Sequence, residues 1–169
     1  MKYALVTGGS RGIGKACALK LADMGFNILV NYKSNTAAAE ETKKEIEAKG
    51  LKCELMQFDV SDKEQIETAI EEWIIKNKDQ NNIEVLVNNA GIRKDQLLMW
   101  MKDEEWHDVI DISLNAFFYI TRLVVKEMIT KKSGRIVNVV SLSGIKGMGG
   151  QTNYSAAKAA IIGATKALA

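Results

Sequence analysis

A tyrosine and a lysine stand four residues apart near the end of the chain, in "YSAAK" at 154 to 158. On a helix this spacing returns a side chain to the same face one turn later, so Tyr154 and Lys158 can share a site. An ammonium group beside a phenol favours the phenolate and lowers the pKa of the tyrosine below about 10. Proton transfer near neutral pH then becomes feasible. The pair is predicted to be a proton donor with its helper, although the same spacing is also common on ordinary helix surfaces.

A serine that could assist this chemistry precedes the pair. Ser141 ends the apolar run "RIVNVVS" at 135 to 141, which is predicted to be a strand. Open α/β sheets bind ligands at the carboxyl ends of their parallel strands. The Ser141 hydroxyl is therefore expected to hold a carbonyl oxygen for Tyr154.

A glycine-rich loop, "TGGSRGIG" at 7 to 14, follows the first apolar run and opens a helical pattern. Glycines permit a tight turn and close backbone approach, and a helix N-terminus offers unpaired N–H groups to a pyrophosphate. The alternative is a glycine turn that merely joins a strand to a helix. We predict a dinucleotide site that includes Gly8, Ser10, Arg11, Gly12, Ile13 and Gly14.

The residues that follow the second and third apolar runs bear on the choice of cofactor. An NAD site usually has a carboxylate about 20 residues after the loop, but Tyr32 and Lys33 stand there. Arg11 and Lys33 could converge on a 2′-phosphate, so NADP is predicted, although either could be a solvated surface charge. Asp59 and Val60 are expected at the edge where adenine would rest, unless Asp59 only caps the next helix.

The elements that must position these residues alternate along the whole chain. Apolar runs that indicate strands are at 3 to 8, 27 to 32, 52 to 58, 83 to 91 and 135 to 141. Five helical segments lie between and after these runs. The first is at 13 to 25, the second is polar and ends at Gly50, and the third begins with a capping box formed by Ser61 and Glu64. A long segment follows at roughly 103 to 132, and the last begins at about Thr152. The alternation predicts an α/β fold, a Rossmann-like doubly wound parallel sheet, with both faces covered because the strands are continuously apolar.

Composition excludes several classes of function. A chain of 169 residues with 47% hydrophobic content is expected to form one soluble domain. The net charge of +2 gives no basis for nucleic-acid binding, and no apolar run approaches membrane-spanning length. Cys17 and Cys53 lack disulfide or metal-ligand spacing and are interpreted as buried, and no signal peptide precedes the first strand, so the cytoplasm is predicted. His107 is the only histidine, so neither a histidine triad nor a multi-histidine metal site is expected.

Four features in order, "TGGSRGIG" at 7 to 14, "NNAG" at 88 to 91, Ser141, and "YSAAK" at 154 to 158, together resemble the short-chain dehydrogenase/reductase family. The resemblance covers the whole chain. Within the family, "NNAGIRKDQLLMWMKDEEW" and the segment from residue 143 to the end are most similar to 3-oxoacyl-[acyl-carrier-protein] reductases of fatty-acid synthesis. This similarity implies an NADPH-dependent reduction of a 3-oxoacyl thioester carried on acyl carrier protein.

The resemblance also implies a role for each matching residue. Tyr154 would donate the proton, Lys158 would bind the nicotinamide ribose and lower the pKa of the tyrosine, and Ser141 would orient the substrate carbonyl. The cofactor would be lined beside the fourth strand by Asn89, Ala90 and Gly91. A homo-oligomer, a tetramer in the family, is implied as well, with subunits associating through the long helix and the last helix.

Two departures from the family pattern bear on activity. Where the family usually has an asparagine that holds a water in a proton relay, "DISLNAFF" has Ser113, and Asn115 lies about 200° around the helix. Reduced turnover is predicted unless another water fills the gap. Family members also continue with further strands and a mobile lid, so residues 1 to 169 are interpreted as a single dinucleotide-binding domain without them. Weak reduction by this chain alone is therefore expected.

Other interpretations stay open at this point. The same mechanism could act on a sugar, a steroid or a small ketone, or the chain could bind the cofactor with little turnover. Met99, Trp100 and Met101 could border the substrate pocket or simply pack. A carrier protein could contact a basic surface on the long helix, or that surface could only be solvated; its residues are Arg122, Lys126, Lys131 and Lys132.

Overall fold

A computed structural model describes residues 1 to 77 and 80 to 169. Its strands form one parallel sheet in the order β3-β2-β1-β4-β5. They are β1 (Lys2–Val6), β2 (Asn27–Tyr32), β3 (Cys53–Gln57), β4 (Asn82–Asn88) and β5 (Arg135–Asn138). The predicted strands are confirmed, although most of them end earlier than the apolar runs do. The doubly wound α/β fold is confirmed with them.

Helices pack on both faces of this sheet. The described helices are α1 (Gly12–Asp23), α2 (Thr36–Glu47), α3 (Lys63–Asn77), α4 (Asp103–Ile110), α5 (Ala116–Lys131), α6 (Ser143–Lys146) and α7 (Thr152–Leu168). One apolar cluster joins the sheet to α1 and α2, and a second joins it to α3 and α5. No helix within the described residues is long and apolar enough to cross a membrane.

Cover of the sheet decreases toward β5. Every residue of β2 is buried, as continuous apolar character predicts for a central strand. On β5, Ile136 packs against the cluster of α3 and α5, whereas Val137 faces the other side and is 49% exposed. The predicted cover on both faces therefore holds for the central strands and is wrong for β5.

The long helical stretch predicted at 103 to 132 contains a change of hydrogen-bond pattern. A π-helical turn, Asp111–Asn115, separates α4 from α5, and such a turn widens the helix by one residue. Asn115 Nδ2 donates a hydrogen bond to Asp111 Oδ1 across it at 2.6 Å. The predicted helical stretch is confirmed in its extent, whereas the π-helical turn was not predicted, because apolar periodicity does not register one extra residue in the hydrogen-bond ladder. Ser113, at the centre of the turn, is buried.

The N-terminus of α3 is capped one residue later than predicted. Asp62 Oδ1 accepts hydrogen bonds from the backbone N–H groups of Glu64 and Gln65 at 3.0 and 3.1 Å. Gln65 Nε2 donates to Asp62 Oδ2 at 2.7 Å. Ser61 instead donates its N–H and its hydroxyl to Asp59 Oδ1. The Ser61 and Glu64 capping box is wrong because the carboxylate of Asp62 occupies that role.

Candidate active site

A cleft of about 630 Å³ opens at the carboxyl ends of the strands. The chain leaves β1 toward β2 and reaches β4 on the other side of β1, so the strand order reverses there. Every residue that the sequence analysis assigned to a cofactor lines this cleft: Gly8, Ser10, Arg11, Gly12, Ile13, Gly14, Lys33, Asp59, Val60, Asn89, Ala90, Gly91, Tyr154 and Lys158.

The glycine loop presents free backbone N–H groups to the cleft. Gly8 and Gly12 have φ angles of 61° and 56°, a conformation that favours glycine. Helix α1 begins at Gly12, and no described residue accepts a hydrogen bond from the N–H of Gly12, Ile13 or Gly14. A Cβ at Gly12 would meet no atom within 4 Å. This helix N-terminus therefore fits the phosphate oxygens of a dinucleotide.

Thr7 and Asn89 fasten the glycine loop to the end of β4. The hydroxyl oxygen of Thr7 accepts hydrogen bonds from the N–H groups of Asn89 and Ala90 at 2.9 and 3.0 Å. Asn89 Nδ2 donates to the backbone oxygens of Thr7 and Gly8 at 2.9 and 3.3 Å. The Asn89 side chain thus shapes the cleft as well as lining it.

Sequence analysis missed Asn31, which fixes the other side of the loop. Its side chain is 1% exposed. Asn31 Oδ1 accepts a hydrogen bond from the N–H of Gly8 at 3.1 Å. Its Nδ2 donates to the backbone oxygens of Met56 and Phe58 at the end of β3. The available signal was an amide in the interior of the apolar run at 27 to 32, because a strand buried on both faces must satisfy that amide with hydrogen bonds.

An ion pair occupies the end of the cleft where the 2′-phosphate is expected. Lys33 Nζ lies 2.5 Å from Asp59 Oδ2, whereas Arg11 forms no ion pair with any described residue. Burial by itself would raise the pKa of the Asp59 carboxyl, but the hydrogen bonds from Lys33 and Ser61 outweigh it and lower that pKa. Arg11 and Lys33 share the cleft as expected. Asp59 does not cap α3.

Tyr154 and Lys158 lie one turn apart on α7, and both line the cleft. Lys158 Nζ is 5.7 Å from the centroid of the Tyr154 ring. Lys158 is 4% exposed and donates a hydrogen bond to the backbone oxygen of Val139 at 2.8 Å. Burial lowers the pKa of the Lys158 ammonium. The ammonium can still donate further hydrogen bonds to a phenolate or a ligand hydroxyl.

The Ser113 hydroxyl lies near Gly91 and has no hydrogen-bond partner among the described residues. Its Oγ is buried. A Cβ at Gly91 would lie 3.6 Å from both Ser113 Oγ and Lys158 Nζ. Because buried hydroxyls in proteins normally have a partner, this site is suited to a water or to a ligand atom.

Ser141 lies at the border of the cleft rather than in its lining. It follows Val140, which does line the cleft, and it is half-buried. Ser141 Oγ accepts a hydrogen bond from the N–H of Ser143 at 3.2 Å, which orients the hydroxyl at the start of α6. The structure therefore brings Tyr154 and Lys158 into the cleft and places Ser113 and Ser141 next to it.

Asn153 is a second residue that sequence analysis missed. It is 0% exposed and precedes Tyr154 on the first turn of α7. Its Nδ2 donates to the backbone oxygens of Lys94 and Glu105 at 3.1 and 3.0 Å, and its Oδ1 accepts a hydrogen bond from the N–H of Tyr154 at 2.7 Å. These bonds fix the start of α7, and with it the backbone of Tyr154.

The basic surface on α5 and the apolar segment at 99 to 101 were expected to contact a carrier protein or to border the substrate pocket. Arg122 on α5 forms an ion pair with Glu67 at 3.0 Å and lies over the Phe118 ring, so it is already engaged. Met99 and Trp100 are 78% and 62% exposed, and neither lines the cleft. Among the described residues, Arg122, Met99 and Trp100 therefore show no contact with the cleft.

The cleft holds both a glycine loop and a tyrosine–lysine pair. Together these features define a dinucleotide-binding oxidoreductase domain. The model of the short chain dehydrogenase family matches residues 2–169. The chain belongs to the short-chain dehydrogenase family, which confirms the resemblance inferred from its motifs and implies a nicotinamide cofactor.

Several curated relatives are 3-oxoacyl-[acyl-carrier-protein] reductases. The chain is 47% identical over 168 residues to the 3-oxoacyl-[acyl-carrier-protein] reductase of Synechocystis sp., covering 99% of this chain and 67% of that protein. It is 45% identical to 3-oxoacyl-[acyl-carrier-protein] reductase FabG of Staphylococcus epidermidis, and the match covers 99% of this chain and 68% of that protein. For the FabG of Haemophilus influenzae the identity is 44%, with 99% and 66% covered. The chain thus spans about two thirds of the length of these relatives.

Proposed function

We propose that this protein reduces a 3-oxoacyl thioester on acyl carrier protein to the 3-hydroxyacyl form, with NADPH, in fatty-acid synthesis. The observation that carries the proposal is the buried Lys158 ammonium, 5.7 Å from the Tyr154 ring in the cleft of the glycine loop. Relatives at 44–47% identity that are named 3-oxoacyl-[acyl-carrier-protein] reductase support the choice of substrate.

Most of the cleft is assigned to the cofactor. The free N–H groups of Gly12, Ile13 and Gly14 would hold the pyrophosphate. NADPH is preferred over NADH for two reasons. Arg11 and Lys33 line the cleft, and Lys33 follows β2, where an NADH site usually has a carboxylate. The remaining contacts are assigned to Gly8, Ser10, Asp59, Val60, Asn89, Ala90, Gly91, Tyr154 and Lys158.

The chain supplies position and a proton. When bound, the cofactor supplies the hydride for the substrate carbonyl carbon. Tyr154 donates a proton to the carbonyl oxygen, and the Lys158 ammonium stabilises the phenolate that remains. Ser141 holds the carbonyl oxygen with a hydrogen bond. A water held by Ser113 would begin a relay that returns a proton by way of Lys158 to the Tyr154 phenolate.

The proposal is tested by titrating the purified chain with NADPH and then following NADPH absorbance with acetoacetyl-carrier protein. We expect binding of NADPH, weaker binding of NADH, and oxidation that depends on the 3-oxoacyl group. Butyryl-carrier protein, which lacks the ketone, is the matched control. Binding without oxidation would instead support a cofactor-binding module. Oxidation with a sugar or simple ketone, but not with the thioester, would transfer the assignment to another substrate.

A cofactor-binding domain with slow turnover is the second candidate, because Ser113 stands where the family usually has an asparagine and its Oγ has no hydrogen-bond partner among the described residues. Ser113→Asn should raise turnover by roughly three- to tenfold, because the longer amide reaches further toward Lys158 and adds a hydrogen bond to the relay. Steady-state turnover under saturating NADPH is the measurement. Ser113→Ala is the matched control and should lower turnover. An unchanged turnover in Ser113→Asn would contradict the role given to this position.

We further propose that residues 1 to 169 act as one dinucleotide-binding domain in a cytoplasmic homo-oligomer, a tetramer as is typical of the family. Association through α5 is supported by the exposure of Phe118 and Ile129, 51% and 71%, and association through α7 by that of Leu168, 44%. A reducing compartment suits the free cysteines: Cys53 is buried, and burial raises the pKa of its thiol to about 12. Cys17 is half-buried rather than buried as predicted.

A further inference from the structure

The carboxylate of Asp59 is held by two groups at once. Its Oδ1 accepts hydrogen bonds from the N–H and the hydroxyl of Ser61 at 3.0 and 2.8 Å. Its Oδ2 lies 2.5 Å from Lys33 Nζ. The Ser61 bonds do not involve Lys33, so they can hold the carboxylate independently of the ion pair. The Lys33 side chain, by contrast, is the more exposed partner, with 66% exposure against 19% for Asp59.

This arrangement places a fixed negative charge beside a cation that a phosphate would need. Lys33, Asp59 and Arg11 line the same cleft. Arg11 has no ion-pair partner among the described residues, so it is available to an anion, whereas Lys33 is already neutralised. A 2′-phosphate must therefore share Lys33 with Asp59 or draw Lys33 away from Asp59. In either case the phosphate is repelled by the Asp59 carboxylate.

We propose that Asp59 is a specificity-determining residue that weakens selection of the 2′-phosphate by competing for Lys33. The inference rests on the proposed NADPH site and names a residue that sets how strongly that site discriminates. Arg11 supplies the attraction that is independent of Asp59. Because an exposed ion pair contributes little by itself, the competition moderates the preference for the phosphate and does not abolish it.

The experiment compares two probes that differ only in the phosphate: adenosine 2′,5′-bisphosphate and adenosine 5′-monophosphate. Their Kd values are measured by calorimetry, and the ratio of the two removes any contact that Asp59 makes with adenine. In Asp59→Asn the preference for the 2′-phosphate should increase by roughly three- to tenfold, since one opposing charge is lost. Asparagine retains an oxygen that can accept the Ser61 hydrogen bonds.

Further variants test whether the effect passes through Lys33. Lys33→Gln should reduce the preference for the 2′-phosphate. In Lys33→Gln/Asp59→Asn, the gain caused by Asp59→Asn should shrink to less than about twofold, because no cation remains to be released. Ser61→Ala removes one hydrogen bond but no charge and is the matched control, with an expected ratio within about twofold of wild type.

Each outcome has one meaning. A ratio that stays constant or falls in Asp59→Asn overturns the role of Asp59, and an undiminished gain in the double variant overturns the route through Lys33. A wild-type ratio near one would instead contradict the NADPH assignment, so the two failures are distinguishable. If Asp59→Asn melts far below wild type, Asp59→Ser provides the same comparison of probes.

Discussion

Replacing Tyr154 with phenylalanine should lower turnover of the 3-oxoacyl thioester by about 10²- to 10⁴-fold, the usual contribution of a positioned proton donor. The substitution removes only the hydroxyl. The ring, which lies 5.7 Å from Lys158 Nζ, keeps its place at the start of α7. The Kd for NADPH should remain within about threefold of wild type, because the glycine loop and Arg11 carry most of the binding. Single-turnover oxidation of bound NADPH and fluorescence titration measure the two quantities.

Tyr119→Phe is the control for this prediction. Tyr119 is a half-buried residue of α5 that packs against the core cluster of α3 and α5, and it does not line the cleft. Its substitution should leave turnover within about twofold of wild type. A Tyr154→Phe enzyme that retains more than a tenth of the wild-type rate would remove Tyr154 from the role of proton donor.

Much of the fold was predictable because it depends on pattern alone. Apolar runs that alternate with helical segments specify a parallel sheet, and the glycine loop after the first run locates the binding edge. Residues of one such edge meet whatever the detailed packing, which is why the residues assigned to the cofactor all line one cleft. The π-helical turn at Asp111–Asn115 escaped prediction because the residues on either side continue to favour a helix.

Polar contacts inside the site were not predictable, because they depend on distances between strands that are remote in sequence. Asn31 acts through backbone oxygens of residues 56 and 58 that pairing of β2 with β3 brings alongside it. The same pairing brings the ends of these strands together and sets Lys33 against Asp59. The charge types indicated a phosphate site, but only the register shows that one cation is already paired.

Gly14→Ala should weaken NADPH binding by at least about tenfold and lower the free energy of unfolding by about 1–3 kcal/mol. A Cβ at Gly14 would lie 2.2 Å from the backbone oxygen of Gly8 and 2.6 Å from Asn89 Nδ2. Neither can yield easily, because the Asn89 amide is fastened to Thr7 and Gly8. Helix α1 must therefore move away from the loop, which displaces the N–H groups assigned to the pyrophosphate. Calorimetry with NADPH and chemical denaturation measure both losses.

Gly163→Ala separates this clash from the general effect of replacing a helical glycine. Gly163 lies within α7, and a Cβ there would meet no atom within 4 Å. Because alanine favours the helix over glycine, this variant should gain about 0.5–1 kcal/mol of stability and bind NADPH as wild type does. If Gly14→Ala behaved like Gly163→Ala in both measurements, the contact between α1 and the glycine loop would be looser than the structure has it. The close packing of Gly14 against Gly8 is what fixes the N-terminus of α1 at the phosphate position. Without it, the cofactor would have to be held chiefly by Arg11 and the far side of the cleft.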